Sequence, residues 1–226
     1  MGKVKILGEM ASPIVTESMP LEESLEWISP FEENVDARVK TFFAQSAYSG
    51  CVEHAASDTE REVGGLLIGE VRIDPMHTRP YLLIQDILPA LHTESGQTHV
   101  TFTQDTLVHL HGQLESRFRG KRILGWYHTH PGLGVFMSSY DTWLHENFFN
   151  DPTQVALVID PIAERGGFFC WQTNRRLDPR YYVGFYEWSN IGEESVVVWN
   201  NLEPVIEAPV EEPAQEPAPG VKNEEG

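Results

Sequence analysis

Cysteine is nearly absent: Cys51 and Cys170 are the only two in 226 residues. Two thiols so far apart make no disulfide framework, and a reducing cytoplasm is the expected compartment. Basic residues are also scarce, with 16 Lys and Arg against 34 Asp and Glu and a formal net charge of −18. That balance argues against nucleic acid or an anionic membrane as a partner, since both require a basic surface. No run reaches the ~18 consecutive apolar residues of a membrane span. The opening Met1-Gly2-Lys3-Val4-Lys5-Ile6 has no signal-peptide core, and Ile6 stands where N-myristoylation needs Ser or Thr. A G-x-x-x-x-G-K-[ST] phosphate loop is missing too.

The acidity is concentrated at the ends. Residues 1–33 carry seven acids and two lysines, and residues 202–226 carry seven Glu and one Lys. The latter stretch also holds Pro204, Pro209, Pro213, Pro217 and Pro219 and no aromatic residue. Such a segment buries too little apolar surface to offset its ordering entropy. The expected organisation is therefore an acidic flexible arm over 1–33, one domain over 34–201, and an acidic Pro-rich disordered tail over 202–226. Leu25, Trp27, Ile28 and Phe31 are candidates to anchor the arm on the core.

Within 34–201 two periodicities alternate. Val35, Val39, Phe42, Phe43 and Ala47 recur at helical spacing and predict a helix over about 35–56. Helices are also expected around Leu107–Phe118 and over Tyr140–Phe149. Strands are expected over Val63–Ile73, Tyr81–Leu88, Thr98–Thr103, Ile123–His130, Val155–Ile159, Phe168–Thr173, Tyr181–Trp188 and Val196–Trp199. Interleaved helices and strands indicate an α/β fold, a central mixed β-sheet flanked by helices, and the lack of helices between the later strands makes part of the sheet antiparallel.

The chemistry-bearing stretch is Gly125-Trp126-Tyr127-His128-Thr129-His130-Pro131-Gly132. On a strand, residues i and i+2 face the same way, so His128 and His130 can aim two imidazoles at one point. Ser138 and Asp141 follow at the start of a predicted helix and share a face. If that helix start folds over the strand end, two His and one Asp converge. This is a zinc set whose fourth position is open to water, the pattern of a catalytic site. Other readings stand beside it: Ser138-x-x-Asp141 is also a capping box, and a lone His-x-His on a strand needs no metal. Glu62, at the mouth of an apolar strand, is the candidate proton acceptor for a bound water, or an ordinary solvated strand-end Glu.

Three near-misses carry no such chemistry. His109-Leu110-His111 falls on a predicted helix, where residues two apart diverge by roughly 200°. His145-Glu146-Asn147-Phe148-Phe149 opens like H-E-x-x-H, but Phe149 replaces the second His. The two cysteines cannot form the P-C-x-x-C of a nucleobase deaminase.

Glu62-Val63-Gly64-Gly65-Leu66-Leu67-Ile68-Gly69, then His128-x-His130-Pro131, then Ser138-x-x-Asp141 eight residues beyond His130, resembles the JAMM motif. This is the signature of the catalytic MPN (Mov34/PAD-1) metalloprotease family. Val158-Ile159-Asp160-Pro161 adds to the likeness to the proteasome-lid and signalosome deubiquitinases. The resemblance spans about 35–190. It implies a JAMM/MPN-type core, with zinc bound by His128, His130 and Asp141, Glu62 as the base, and Ser138 as hydrogen-bond donor to the oxyanion. It implies an isopeptide or peptide bond after the Gly-Gly tail of ubiquitin or a ubiquitin-like modifier as the substrate, and an MPN-type dimer as a conceivable assembly. The loop Leu91–Gln97 stands where relatives carry a mobile insertion that could clamp such a tail. After Pro161 the chain turns tightly, without the longer second insertion of linkage-reading relatives, and the acidic tail replaces their C-terminal helices. The compact form is more like stand-alone prokaryotic members. Two alternatives remain: a JAMM hydrolase trimming a small group from a sulfur-carrier protein, and a non-catalytic MPN scaffold.

Overall fold

The computed structural model describes residues 13–90 and 112–206, apart from Glu115 and Ile191. The elements run β1 (Val15–Thr16), β2 (Ser24–Ile28), β3 (Lys40–Ala44), α1 (Gln45–Ala56), β4 (Gly64–Asp74), β5 (Arg79–Pro89), β6 (Arg122–Thr129), α2 (Ser139–Phe148), β7 (Val155–Asp160), β8 (Arg165–Cys170), β9 (Phe185–Trp188) and β10 (Glu203–Pro204). The strands form one ten-stranded mixed sheet in the order β10-β2-β9-β3-β5-β4-β6-β7-β8, with β1 pairing β4. Parallel pairs join β3 to β5, β3 to β9 and β6 to β7. Antiparallel pairs join β4 to β5, β4 to β6 and β7 to β8. This is the mixed sheet with helices that the alternating periodicities predict.

The expected helix over 35–56 is corrected: its first part is β3, and α1 begins only at Gln45. Phe42 and Phe43 explain the error. Both are fully buried, but Phe43 belongs to the main core while Phe42 packs with Tyr81, Leu83 and Tyr186 in a separate cluster. Consecutive residues buried on opposite sides are the signature of a strand with both faces covered. The late strands also differ from expectation: β8 is shifted towards the N-terminus and β9 is shorter. β8 stops at Cys170, β9 starts at Phe185, and Val196–Trp199 forms no strand. The expected strand Thr98–Thr103 and the loop Leu91–Gln97 lie outside the described residues, as does most of the helix around 107–118, of which 112–114, 116 and 117 are helical.

The first half of β4 and all of β7 are buried, as the apolar runs Gly64–Gly69 and Val155–Ile159 require. Two bulges lie side by side around Ile68, one against β5 and one against β6. Bulges add local twist and bend a sheet. Gly125 sits at the second with φ 155°, and a Cβ there would lie 1.9 Å from the Val155 carbonyl oxygen. Only glycine lets β6 approach β7 that closely.

β2 brings Leu25, Trp27 and Ile28 into the sheet between β9 and β10, so paired strands extend beyond 34–201 at both ends. The tether is Glu187, a buried carboxylate on β9. Its Oε2 accepts from Trp27 Nε1–H at 3.0 Å and Ser195 Oγ–H at 2.6 Å. Its Oε1 accepts from Gln45 Nε2–H and the Val196 amide, both at 2.8 Å. One side chain thus pins β2, the start of α1 and the chain after β9. Further on, the Asn201 carboxamide exchanges hydrogen bonds with the Gly166 amide and carbonyl at 3.0 and 2.9 Å, closing over the β8 edge. No helix among the described residues is long and apolar enough to cross a membrane.

Glu187→Ala orphans the buried Trp27 indole N–H and removes three part-buried bonds from Gln45, Ser195 and Val196, whose donors water can reach. It should cost about 2–3 kcal/mol in urea unfolding, given ~1–3 kcal/mol for an orphaned buried group. A loss below ~1 kcal/mol would show that these segments hold without it.

Candidate metal centre

β6 delivers the two histidines. His128 is in the strand and His130 one step past its end, with the His130 amide donating to the Ile159 carbonyl at 2.8 Å. Thr129, between them, faces the other way and anchors the neighbouring segment. Its Oγ1 accepts from the Val63 amide at 2.9 Å, and its amide donates to the Val63 carbonyl at 2.9 Å. That pairing sets Glu62 beside the histidines, with its Oε1 3.9 Å from His130 Nε2.

The third group comes from α2. Ser138 caps this helix in a reciprocal capping box: its Oγ accepts from the Asp141 amide at 3.2 Å, and its own amide donates to Asp141 Oδ2 at 2.7 Å. The capping box and the approach of Asp141 to the histidines therefore occur together, because the cap fixes the carboxylate rotamer. The same Oδ2 lies 3.4 Å from His128 Nε2 and 3.5 Å from His130 Nε2, and the two Nε2 atoms are 3.1 Å apart. All three residues are buried.

These distances test whether a metal fits. Atoms bound to a tetrahedral ion at ~2.0–2.1 Å lie about 3.3–3.4 Å from one another, and the three edges here are 3.1, 3.4 and 3.5 Å. Three electron-pair-bearing atoms this close repel one another unless a proton or cation lies among them. The trio is the group among the described residues that could hold a metal ion. Burial pushes the Asp141 carboxyl upward, but hydrogen bonds from His128 and His130, the charge of His128 and the Ser138 bond outweigh it. The carboxyl is held well below the ordinary carboxylate range, ready as an anionic ligand.

Asp160 shapes the rim. Its Oδ1 accepts from the amides of Gly132, Ile162 and Ala163 at 2.9–3.1 Å, and its Oδ2 from Gly134 at 2.9 Å. It pins the turn after His130, where Gly132 and Gly134 adopt φ values of 72° and 89°. Burial raises its carboxyl, but the four amides together hold it below the usual range. Its place in a strand-end Asp-Pro was visible in sequence, but its partners, 26 and 28 residues away, were not. The same holds for Trp126, whose indole stacks on the His128 ring at 4.5 Å and 10°. His145 is fully buried behind it and, pushed down to about 3 by burial, is neutral. His109 and His111 lie outside the described residues.

Comparison with known proteins follows the same residues. Positions 42–151 match the family model for the JAB1/Mov34/MPN/PAD-1 ubiquitin protease. COP9 signalosome complex subunit 5 of Debaryomyces hansenii is 30% identical over 151 residues, covering 64% of this chain and 30% of that protein. The 26S proteasome regulatory subunit rpn11 of Schizosaccharomyces pombe is 27% identical over 146 residues, covering 64% and 46%. The ubiquitin carboxyl-terminal hydrolase RPN11 of Saccharomyces cerevisiae is 25% identical over 144 residues, covering 63% and 45%. The chain spans less than half the length of each of these three relatives.

Two outcomes follow from the geometry. Asp160→Asn places an NH2 group against an amide donor and should lower unfolding stability by roughly 2–4 kcal/mol; a urea midpoint unchanged from the parent would remove Asp160 as the anchor of the turn. His145 takes up no proton in the folded state down to about pH 3, whereas an unfolded His does so near 6.5. Its contribution is therefore complete above pH 6.5 and falls as pH drops, by about 2 kcal/mol between pH 7 and 5. Urea titrations at the two pH values check this, since His145→Gln should lack that part of the loss.

Proposed function

Since this chain carries a domain of the JAB1/Mov34/MPN/PAD-1 family, we propose that it is a zinc-dependent isopeptidase or peptidase. It cleaves the bond after the C-terminal Gly-Gly tail of a ubiquitin-like protein. The observation that carries this reading is the convergence of His128 Nε2, His130 Nε2 and Asp141 Oδ2 with the Glu62 carboxylate 3.9 Å from one of them. A non-catalytic scaffold has no use for a buried His-His-Asp trio at metal-ligand spacing or for a carboxylate beside it. The names of the relatives, a ubiquitin carboxyl-terminal hydrolase and subunits of the proteasome and signalosome, agree with a modifier conjugate as substrate.

In this reading His128, His130 and Asp141 hold the zinc ion. When bound, the ion supplies Lewis acidity towards a carbonyl oxygen and makes water acidic near neutral pH. Glu62 Oε1 takes the proton from the attacking water and returns it to the leaving amine, the double duty of a general base and acid. Its 13% side-chain exposure leaves it reachable by water and shielded on the core side. Ser138 Oγ accepts the Asp141 amide proton, so the hydroxyl keeps its own proton for the developing oxyanion. Asp160 acts at one remove, by holding the turn that carries His130.

The test is cleavage of an isopeptide-linked ubiquitin-like conjugate. Glu62→Gln should retain zinc and lose 100-fold or more in kcat, on the order of general-base catalysis; near-normal turnover rejects Glu62 as the base. Asp141→Ala should lose zinc at neutral pH, measured by metal content after dialysis. Full retention removes Asp141 from the ligand set. Chelation should abolish cleavage, and added zinc should restore it.

A further inference from the structure

A histidine that binds a metal through one ring nitrogen almost always donates its other N–H to a carboxylate, carbonyl or water, and that bond fixes the ring. His128 departs from this. Its Nδ1 is buried and has no hydrogen-bond partner among the described residues. The ring is nevertheless fully enclosed, so something other than a polar tether must set its plane.

The indole of Trp126 fills that role. Trp126 and His128 are same-face neighbours on β6, and their rings stack at 4.5 Å with 10° between planes. The indole also stacks on Phe149 at 5.8 Å and 19°. Trp126 Nε1–H donates to His145 Nδ1 at 3.1 Å, and both residues are fully buried. His145 rests on Phe149 and on Trp171, whose Nε1–H in turn donates to the Phe149 carbonyl at 3.2 Å. The imidazole of His145 is not needed for this packing. Because its Nδ1 accepts from Trp126, its proton sits on Nε2, which is buried without a hydrogen-bond partner among the described residues. An orphaned buried N–H is costly, and a phenyl ring would fill the space without one. What the imidazole alone supplies is the acceptor that holds the indole plane.

We propose that Trp126 and His145 are positioning residues of the metal centre. The indole plane orients the His128 ring so that Nε2 faces Asp141, and His145 locks that plane through the Trp126 N–H. The inference rests on the zinc reading above. It assigns these two side chains, neither of which reaches the metal position, a share of the zinc affinity.

The experiment measures zinc affinity by competition with a chromophoric chelator and records the ligand-field absorption of the cobalt-substituted protein. It uses the full chain and the variants His145→Phe, His145→Gln, Trp126→Phe, the Trp126→Phe/His145→Phe pair, and Ile84→Val as a remote core control. His145→Phe should weaken zinc binding 10- to 100-fold, the usual range for lost outer contacts, and shift the cobalt bands. His145→Gln keeps an acceptor for the indole and should recover most of the affinity. Trp126→Phe keeps a stacked ring without the N–H and should behave like His145→Phe. The double variant should then be no worse than either single one, because both remove the same bond. Ile84→Val should lower Tm with zinc affinity unchanged. Parental affinity and spectrum in His145→Phe would overturn the inference, as would equal losses in the Gln and Phe variants. So would an affinity that tracks Tm across the whole set, Ile84→Val included. A parent protein that takes up no zinc overturns the metal reading and this inference together, whereas zinc uptake indifferent to these substitutions overturns this inference alone.

Discussion

Three ligand-type atoms, His128 Nε2, His130 Nε2 and Asp141 Oδ2, stand 3.1 to 3.5 Å from one another in a buried site. A proton or a cation must lie among them, since bare electron pairs at that distance in a low-dielectric interior repel strongly. The surrounding fold is the apparatus that holds them. β6 is drawn against β7 at Gly125, where no side chain would fit. The parallel pairing carries on through His128 and Thr129, and the His130 amide then reaches the Ile159 carbonyl. α2 brings the carboxylate, and its own capping box sets the rotamer. A local helix-start motif has become a long-range device because the oxygen that caps the helix is also the one that faces the imidazoles.

The polar groups that support the centre share one design. Each is a buried acceptor with at least one donor from a segment distant in the chain. Asp160 gathers amides from both the turn after His130 and its own turn. Glu187 joins β2, the head of α1 and the chain after β9. Thr129 ties the Glu62 segment to the strand between the histidines. A carboxylate that accepts several N–H bonds is satisfied without a counter-ion, so these anchors add rigidity without placing a competing cation near the metal position. The stacked column of Phe149, Trp126 and His128 supplies what hydrogen bonds do not, a fixed plane for the first histidine.

Much of this was legible before any coordinates. The alternation of periods predicted the mixed sheet, and His128-x-His130 with Ser138-x-x-Asp141 predicted the convergence, because two-residue spacing on a strand and three-residue spacing on a helix fix direction locally. Failures came where the signal was not local. Phe42 and Phe43 read as part of a helical stripe, since only the second cluster around Tyr81 and Tyr186 shows that both faces of β3 are covered. The same limit hid β2, an internal strand inside a segment whose acidity reads as solvated.

The sequence by itself determined which atoms could act. The residue types and short-range spacings name a candidate metal set and the helix cap from backbone geometry within a few residues, and the family resemblance adds Glu62 as the candidate base. Tertiary structure alone decided that β6 and α2 meet at a spacing a tetrahedral ion would occupy. It also decided which buried acceptors hold them there, and that a tryptophan face rather than a hydrogen bond orients His128. Apart from the Trp126–His128 stack itself, which lies within β6, those are relations between segments far apart in the chain, and they exist only once a curled sheet has packed them together.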